Sequence, residues 1–239
     1  TLTITEGGLW GSLTGVSVSI VAVFVIFEAI LNAGEAGKGF MNIAIAAAGG
    51  LKGGAAKVSV LASALFGSIS GSASANVAST GMVTLPAMQK LGYPRRVAGA
   101  VEAVASTGGQ IMPPLMGAGA FVMVELTGIP YEKIILAALL PAVLYFWTVW
   151  VGVNQYADKY DLKPYTADML PARSVVIKTA LFFFIPFSVL LSVMFSGYTP
   201  QFAAAIAILS AAFLLLIGLD FRFDLRRASK RFVDASLFS

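Results

Sequence analysis

The stretch FGSISGSASANVASTGMVTLPAMQKLGYP (66–94) carries two opposed signals. Its flanks, about 54–69 and 77–90, are apolar and small enough to form helices packed on other helices. Its front, SISGSASANVAST (68–80), is too polar to face lipid. Irregular backbone at membrane depth is tolerated only inside protein or beside a water-filled cavity. Two half-length helices with a polar tip therefore predict a re-entrant hairpin over about 54–90. The Gly, Ala and Ser that fill the wider segment 36–94 suit close packing against protein.

Working outward, the setting is a membrane. The chain has 239 residues, 58% hydrophobic and only 12% charged. Soluble domains carry about a quarter charged residues. Five blocks reach the roughly 20 residues needed to cross a hydrocarbon core: 9–31, 95–126, 133–154, 175–196 and 200–219. The expected fold class is all-α and integral to the membrane, about five transmembrane helices plus one re-entrant hairpin. The polar tract 155–174 reads as a cytoplasmic loop, and 220–239 as an amphipathic basic segment on the cytoplasmic surface.

The block 95–126 is interrupted. VAGAVEAVA (97–105) is a good helix, but STGGQIMPP (106–114) cannot continue one. Proline lacks the backbone N–H and clashes with the preceding turn, and glycine weakens a helix by about 1 kcal/mol. Helix resumes in LMGAGAFVMVEL (115–126), so the block predicts a discontinuous helix unwound near the bilayer centre. Charge supports this layout. With both ends of the hairpin on the cytoplasmic side, every Lys and Arg except Lys133 also falls there. That places the N-terminus of the chain outside and the C-terminus inside.

There is no cysteine and no histidine. Thiolate chemistry, Zn–His sites and Ser–His catalysis are thereby excluded, and an embedded enzyme has no obvious nucleophile–base pair. A channel would show a charged ring or a filter loop. Nothing points to nucleic acid. A polar hairpin tip facing an unwound helix instead suits ion and substrate binding, because freed carbonyls and half-helix ends meet at the midplane. Ser70, Ser72, Asn76, Ser79 and Thr80 supply neutral oxygens on the first element, and Ser106, Thr107 and Gln110 on the second. Such oxygens match a hard monovalent cation, and no carboxylate cluster favours Ca2+ or Mg2+. Glu102 is the one acidic residue well inside a span. It lies one turn from Ser106, yet a pairing with Arg95 or Arg96 is the preferred reading, since a neutral-oxygen site needs no carboxylate.

The tract 66–94, followed by AGAVEAVASTGGQIMPPLMGAGAFVM (98–123), resembles the large permease subunit of tripartite ATP-independent periplasmic (TRAP) transporters. It looks closest to the fused permeases that work with TAXI-type binding proteins. The resemblance implies a Na+-coupled secondary transporter of small organic acids, carboxylates or dicarboxylates, working by an elevator movement. Its partners would be a periplasmic binding protein and a small four-helix membrane subunit or its fused equivalent. Na+, the coupling ion in place of any cofactor, would sit by motif position at Ser70, Gly71, Ser72, Asn76, Ser106, Thr107, Gly108 and Gly109. Ser79, Gln110, Pro113 and Pro114 would face substrate. Such permeases hold two inverted repeats; 1–154 contains one hairpin and one broken helix, 175–219 adds two spans, and the second repeat is missing. The chain begins with Thr and reads as a first-repeat fragment. A dicarboxylate/sodium symporter of related architecture, which needs no binding protein, is the alternative within transporters.

Overall fold

A computed structural model describes residues 10–33, 36–166 and 169–217. The basic segment 220–239 lies outside the described residues. Every regular element among the described residues is helical. Nine are used below. Helix α1 (12–33) runs through a π-helical turn at Ser17–Val21 into Ala22–Ala33. Helix α2 (36–49) joins Ala36–Ala44 to a second π-helical turn, Ile45–Gly49. Then come α3 (Gly54–Ser70), α4 (Ala73–Lys90) and α5 (Arg95–Thr107), the last continued by a 3-10 turn at Gly108–Ile111. Helices α6 (Ala118–Thr127), α7 (Tyr131–Lys159), α8 (Arg173–Phe195) and α9 (Pro200–Ile217) complete the set.

Three helical stretches are long and apolar enough to cross a membrane: Thr14–Ala33, Tyr131–Lys159 and Arg173–Phe195. The block 95–126 is split between α5 and α6, and α9 is shorter than the others. Two sequence expectations shift. Helix α7 continues to Lys159, so the polar loop begins five residues later than 155. The segment 36–49, expected only as packed small residues, is a helix. Phe40, Ala44 and Ala48 recur every fourth residue and are fully buried, a helical face that its glycines obscure.

The chain divides into two compact units. One contains 36–116 and 138–181, and holds the hairpin. Its core is made of small residues from α2, α3 and α5, with Met88 of α4 and Val153 and Ala157 of α7. Helix α3 is buried along almost its whole length, because Ala, Ser and Gly let neighbours approach from several sides. Gly53, before α3, packs against Tyr93, after α4, so both ends of the hairpin lie together. At that end the loop after α7 clasps the loop before α3: the Gly53 amide donates to Leu162 O at 3.2 Å and the Tyr165 amide to Gly49 O at 2.9 Å. Lys52 adds ion pairs to Asp158 (3.3 Å) and Asp161 (3.5 Å). Deeper, Lys57 is buried; its Nζ donates to Asn154 Oδ1 at 2.6 Å and stands over the Trp150 ring.

The other unit contains 1–35, 117–137 and 182–239. There α9 presents Ala203, Ala204 and Ala207, all fully buried, on the side that packs against α1. Phe24 of α1 stacks on Phe121 of α6, which stacks in turn on Tyr131.

Candidate functional site

The hairpin turn is short. Gly71 adopts the left-handed conformation (φ +58°) and its amide caps α3 on Gly67 O at 3.1 Å. Ser72 is extended and caps α4, its Oγ accepting from the Ala75 amide. Only Gly71 and Ser72 are non-helical, so the tip expected over 68–80 shrinks to two residues. The rest of that polar tract is helix, which turns its side chains into regularly spaced stripes.

Those stripes converge. Ser59, Ser63 and Gly67 recur every four residues on α3, Asn76, Thr80 and Thr84 on α4, and Glu102 and Ser106 on α5. Residues four apart share a helix face. In an antiparallel hairpin turning at Gly71–Ser72, Ser63 lies level with Thr80 and Ser59 with Thr84. All these side chains are buried.

Glu102 is the hub, only 1% exposed. Its Oε2 accepts from Ser59 Oγ at 2.8 Å and from Thr84 Oγ1. Its Oε1 accepts from Thr80 Oγ1 and, at 3.3 Å, from Ser106 Oγ. The expected pairing with Arg95 or Arg96 is not formed. Both arginines are exposed at the start of α5, two turns away, and no described Lys or Arg makes an ion pair with Glu102. The carboxyl is instead solvated by hydroxyls of three helices. That matters energetically, since an uncompensated buried charge costs several kcal/mol.

Asn76 links the hairpin to the broken helix. Its Nδ2 donates to Ser63 O at 2.9 Å and to Ser106 O at 3.3 Å. Its Oδ1 is buried and has no hydrogen-bond partner. Beside it the two backbones nearly touch. A Cβ on Gly67 would lie 2.3 Å from Gly109 Cα, and one on Gly109 would lie 2.7 Å from Asn76 Nδ2. Neither position admits a side chain. The break is braced from behind by α7, where Tyr145 Oη donates to Val104 O at 2.7 Å and Gly108 packs against Tyr145 and Phe146. Beyond the break, the Leu115 amide reaches Ser68 O at 3.4 Å.

Of the residues singled out in the sequence, Asn76, Ser106 and Gly109 meet at this junction. Gly108 lies next to it, against α7. Ser70 and Ser72 are occupied by the turn, with the Ser72 amide donating to Ser70 Oγ at 3.2 Å. Thr107 is exposed and bonds back to Ala103 O. Gln110 is exposed, while Pro113 and Pro114 are buried. Ser79 lines a different feature, an open cleft of about 330 Å³ between α2 and the hairpin, together with Lys38, Asn42, Phe66 and Met82. Ser59, Ser63 and Thr84 were not singled out. Their signal is the four-residue spacing, visible once 54–90 is read as continuous helix on both sides of a two-residue turn. Among the described residues no group of three His, Cys, Asp or Glu could hold a metal ion. Any cation here would rest mainly on neutral oxygens.

Residues 1–238 match the family described as "Tripartite ATP-independent periplasmic transporter, DctM component". Among curated relatives, the C4-dicarboxylate TRAP transporter large permease protein DctM of Pseudomonas aeruginosa is 27% identical over 82% of this chain and 46% of its own length. The 2,3-diketo-L-gulonate TRAP transporter large permease protein YiaN of Escherichia coli is 26% identical over 84% of this chain and 48% of its own. The isethionate TRAP transporter permease protein DctMQ of Oleidesulfovibrio alaskensis is 31% identical over 43% of this chain and 16% of its own. The chain thus spans about half the length of the first two. These relatives are transporter permeases, not enzymes.

Proposed function

The chain belongs to the DctM component family of tripartite ATP-independent periplasmic transporters, and from that premise we propose that it forms part of a permease taking up a small organic acid at the expense of a Na+ gradient. The relatives' names point to a C4-dicarboxylate, a sugar-derived keto acid and a sulfonate. A small carboxylate or comparable organic anion is the class consistent with them. In this reading a periplasmic binding protein of the TAXI type delivers the substrate, and a small four-helix subunit, separate or fused, completes the assembly. The permease sits in the cytoplasmic (inner) membrane with the N-terminus of this chain outside and its C-terminus inside. The hairpin enters and leaves on the cytoplasmic side and moves with α5 as an elevator, a second repeat supplying the other half of the substrate site.

The observation that carries the reading is the junction of hairpin and broken helix. Buried oxygens of α3, α4 and α5 converge there, and Asn76 Oδ1 has no partner. Unsatisfied polar atoms at membrane depth cost several kcal/mol unless something pairs with them, and a bound cation would do so. The test is uptake by the complete permease with its binding protein, with and without a Na+ gradient. Asn76→Ala and Ser106→Ala should raise the Na+ concentration for half-maximal uptake while expression stays near normal. Unchanged Na+ dependence in both variants would reduce the junction to a packing element.

A further inference from the structure

Three loops meet at the base of the hairpin: 49–53 before α3, 91–94 after α4 and 160–165 after α7. The Gly53 and Tyr165 amide bonds, and the packing of Gly53 on Tyr93 and Ala157, hold them together. Six exposed basic residues gather there: Lys52, Lys90, Arg95, Arg96, Lys159 and Lys163. The described carboxylates at this end are Asp158 and Asp161, and Lys52 takes both. Among the described residues none of the other five cations makes an ion pair. Two of them sit where their own helix repels them. Arg95 and Arg96 open α5, whose first turn has no acidic residue and no side-chain cap, and the positive end of a helix disfavours cations. An anion held from outside relieves that repulsion.

Apolar side chains are interleaved with these charges. Leu51 and Tyr160 are exposed in the same loops, with the Lys159 ammonium 5.5 Å from the Tyr160 ring centre. Leu170, also exposed, packs beside Gly49. A soluble acidic partner needs only the cations. Leucine and tyrosine among lysines and arginines are the pattern of a surface lying at headgroup level, where apolar groups enter the acyl boundary and the cations reach phosphates. We propose that the base of the hairpin is a binding surface for anionic phospholipid, with Lys90, Arg95 and Arg96 holding headgroup phosphate. Membrane topology requires only that cations lie on one side; recognition requires them gathered on one patch with the nearby carboxylates already used, as they are here. The proposal rests on the cytoplasmic placement of this end given above.

The experiment is thermal unfolding of the purified complete permease in detergent, titrated with phosphatidylglycerol or phosphatidylcholine, without Na+ or substrate. Tm should rise saturably with phosphatidylglycerol and not with phosphatidylcholine. Each cation near an anionic lipid surface contributes about fivefold to binding. The double variant Arg95→Gln with Arg96→Gln should therefore raise the half-saturating phosphatidylglycerol concentration at least about tenfold, and Lys133→Gln, in the other unit, should leave it unchanged. Should the double variant fail to fold, Lys90→Gln with Lys159→Gln tests the same patch. Equal stabilisation by the two lipids, an unchanged response in the patch variants, or a rise reproduced by inorganic phosphate alone overturns the surface. Detergent imposes no orientation and the assay contains no Na+. Labelling of a cysteine at position 90 from the periplasmic side alone would therefore overturn the topology, and Na+-independent uptake the coupling, each leaving a selective lipid response standing.

Discussion

The turn of the hairpin and its middle are both polar, but their polarity is used differently. At the turn, Ser70, Ser72 and Ser74 bond to one another and to amides two or three residues away. Nothing there reaches another helix through a side chain. At the middle, each hydroxyl crosses to a different helix, and Glu102 ties α3, α4 and α5 together. The turn therefore closes the hairpin, while the middle fixes its placement against the broken helix. Density of polar residues does not separate the two; spacing does.

That contrast can be broken most severely where backbones touch. Gly67→Ala should cost about 3 kcal/mol or prevent folding, because the added methyl meets main chain that cannot swing aside. Gly99→Ala, whose Cβ would meet nothing within 4 Å, is the control and should not destabilise; thermal unfolding in detergent reads both. Next comes the hub. Thr84→Val keeps shape but removes one donor from Glu102, and the loss should be about 2 kcal/mol. Ser72→Ala removes a helix cap and should lose about 1 kcal/mol, with its partners left free to find water. If Ser72→Ala proved costlier than Thr84→Val by the same assay, the division between turn and middle would collapse. Smallest is the surface clasp. Lys52→Ala should leave Tm at neutral pH unchanged, since exposed ion pairs contribute little. Its pH dependence has a definite sign: the hydrogen bond to Asp158, with the charges of Asp158 and Asp161, holds the Lys52 ammonium above the usual lysine range. On the alkaline side the clasp is therefore lost as pH rises through the raised value. A parent whose Tm relative to Lys52→Ala rose as pH was taken above the lysine range would contradict this.

Much of this was legible in the residues. The break at 106–114 follows from two glycines and two prolines in nine residues, and helix α5 with its 3-10 continuation ends within it. The hairpin follows from small residues flanking Gly71. Three things were harder to read. Ser and Thr at 73–80 suggested loop, because these residues prefer caps in water; buried between helices, they bond back to carbonyls and remain helical, as Thr80 does to Asn76 O. Glu102 was assigned to the wrong partner because charge favours charge along a sequence. Four hydroxyls contributed by two neighbouring helices and by its own are visible only in three dimensions. The helix 36–49 was hidden by its glycines, one of which, Gly39, packs so tightly that an added Cβ would meet Thr179 O at 2.6 Å.

Lys57 and Trp150 have an optical consequence. The ammonium stands 5.4 Å from the centre of the indole ring, on the far side of the hairpin from Glu102 in sequence terms but fixed to α7 through Asn154. A cation held over an indole displaces its emission. Trp10 and Trp147 are largely exposed, so replacing both with Phe would leave Trp150 as the sole fluorophore among the chain's three tryptophans. Its colour would then report continuously on the spacing between the base of the hairpin and α7. Constant emission on addition of NaCl would mean that these two parts keep their spacing; a shift would mean that the hairpin moves relative to α7.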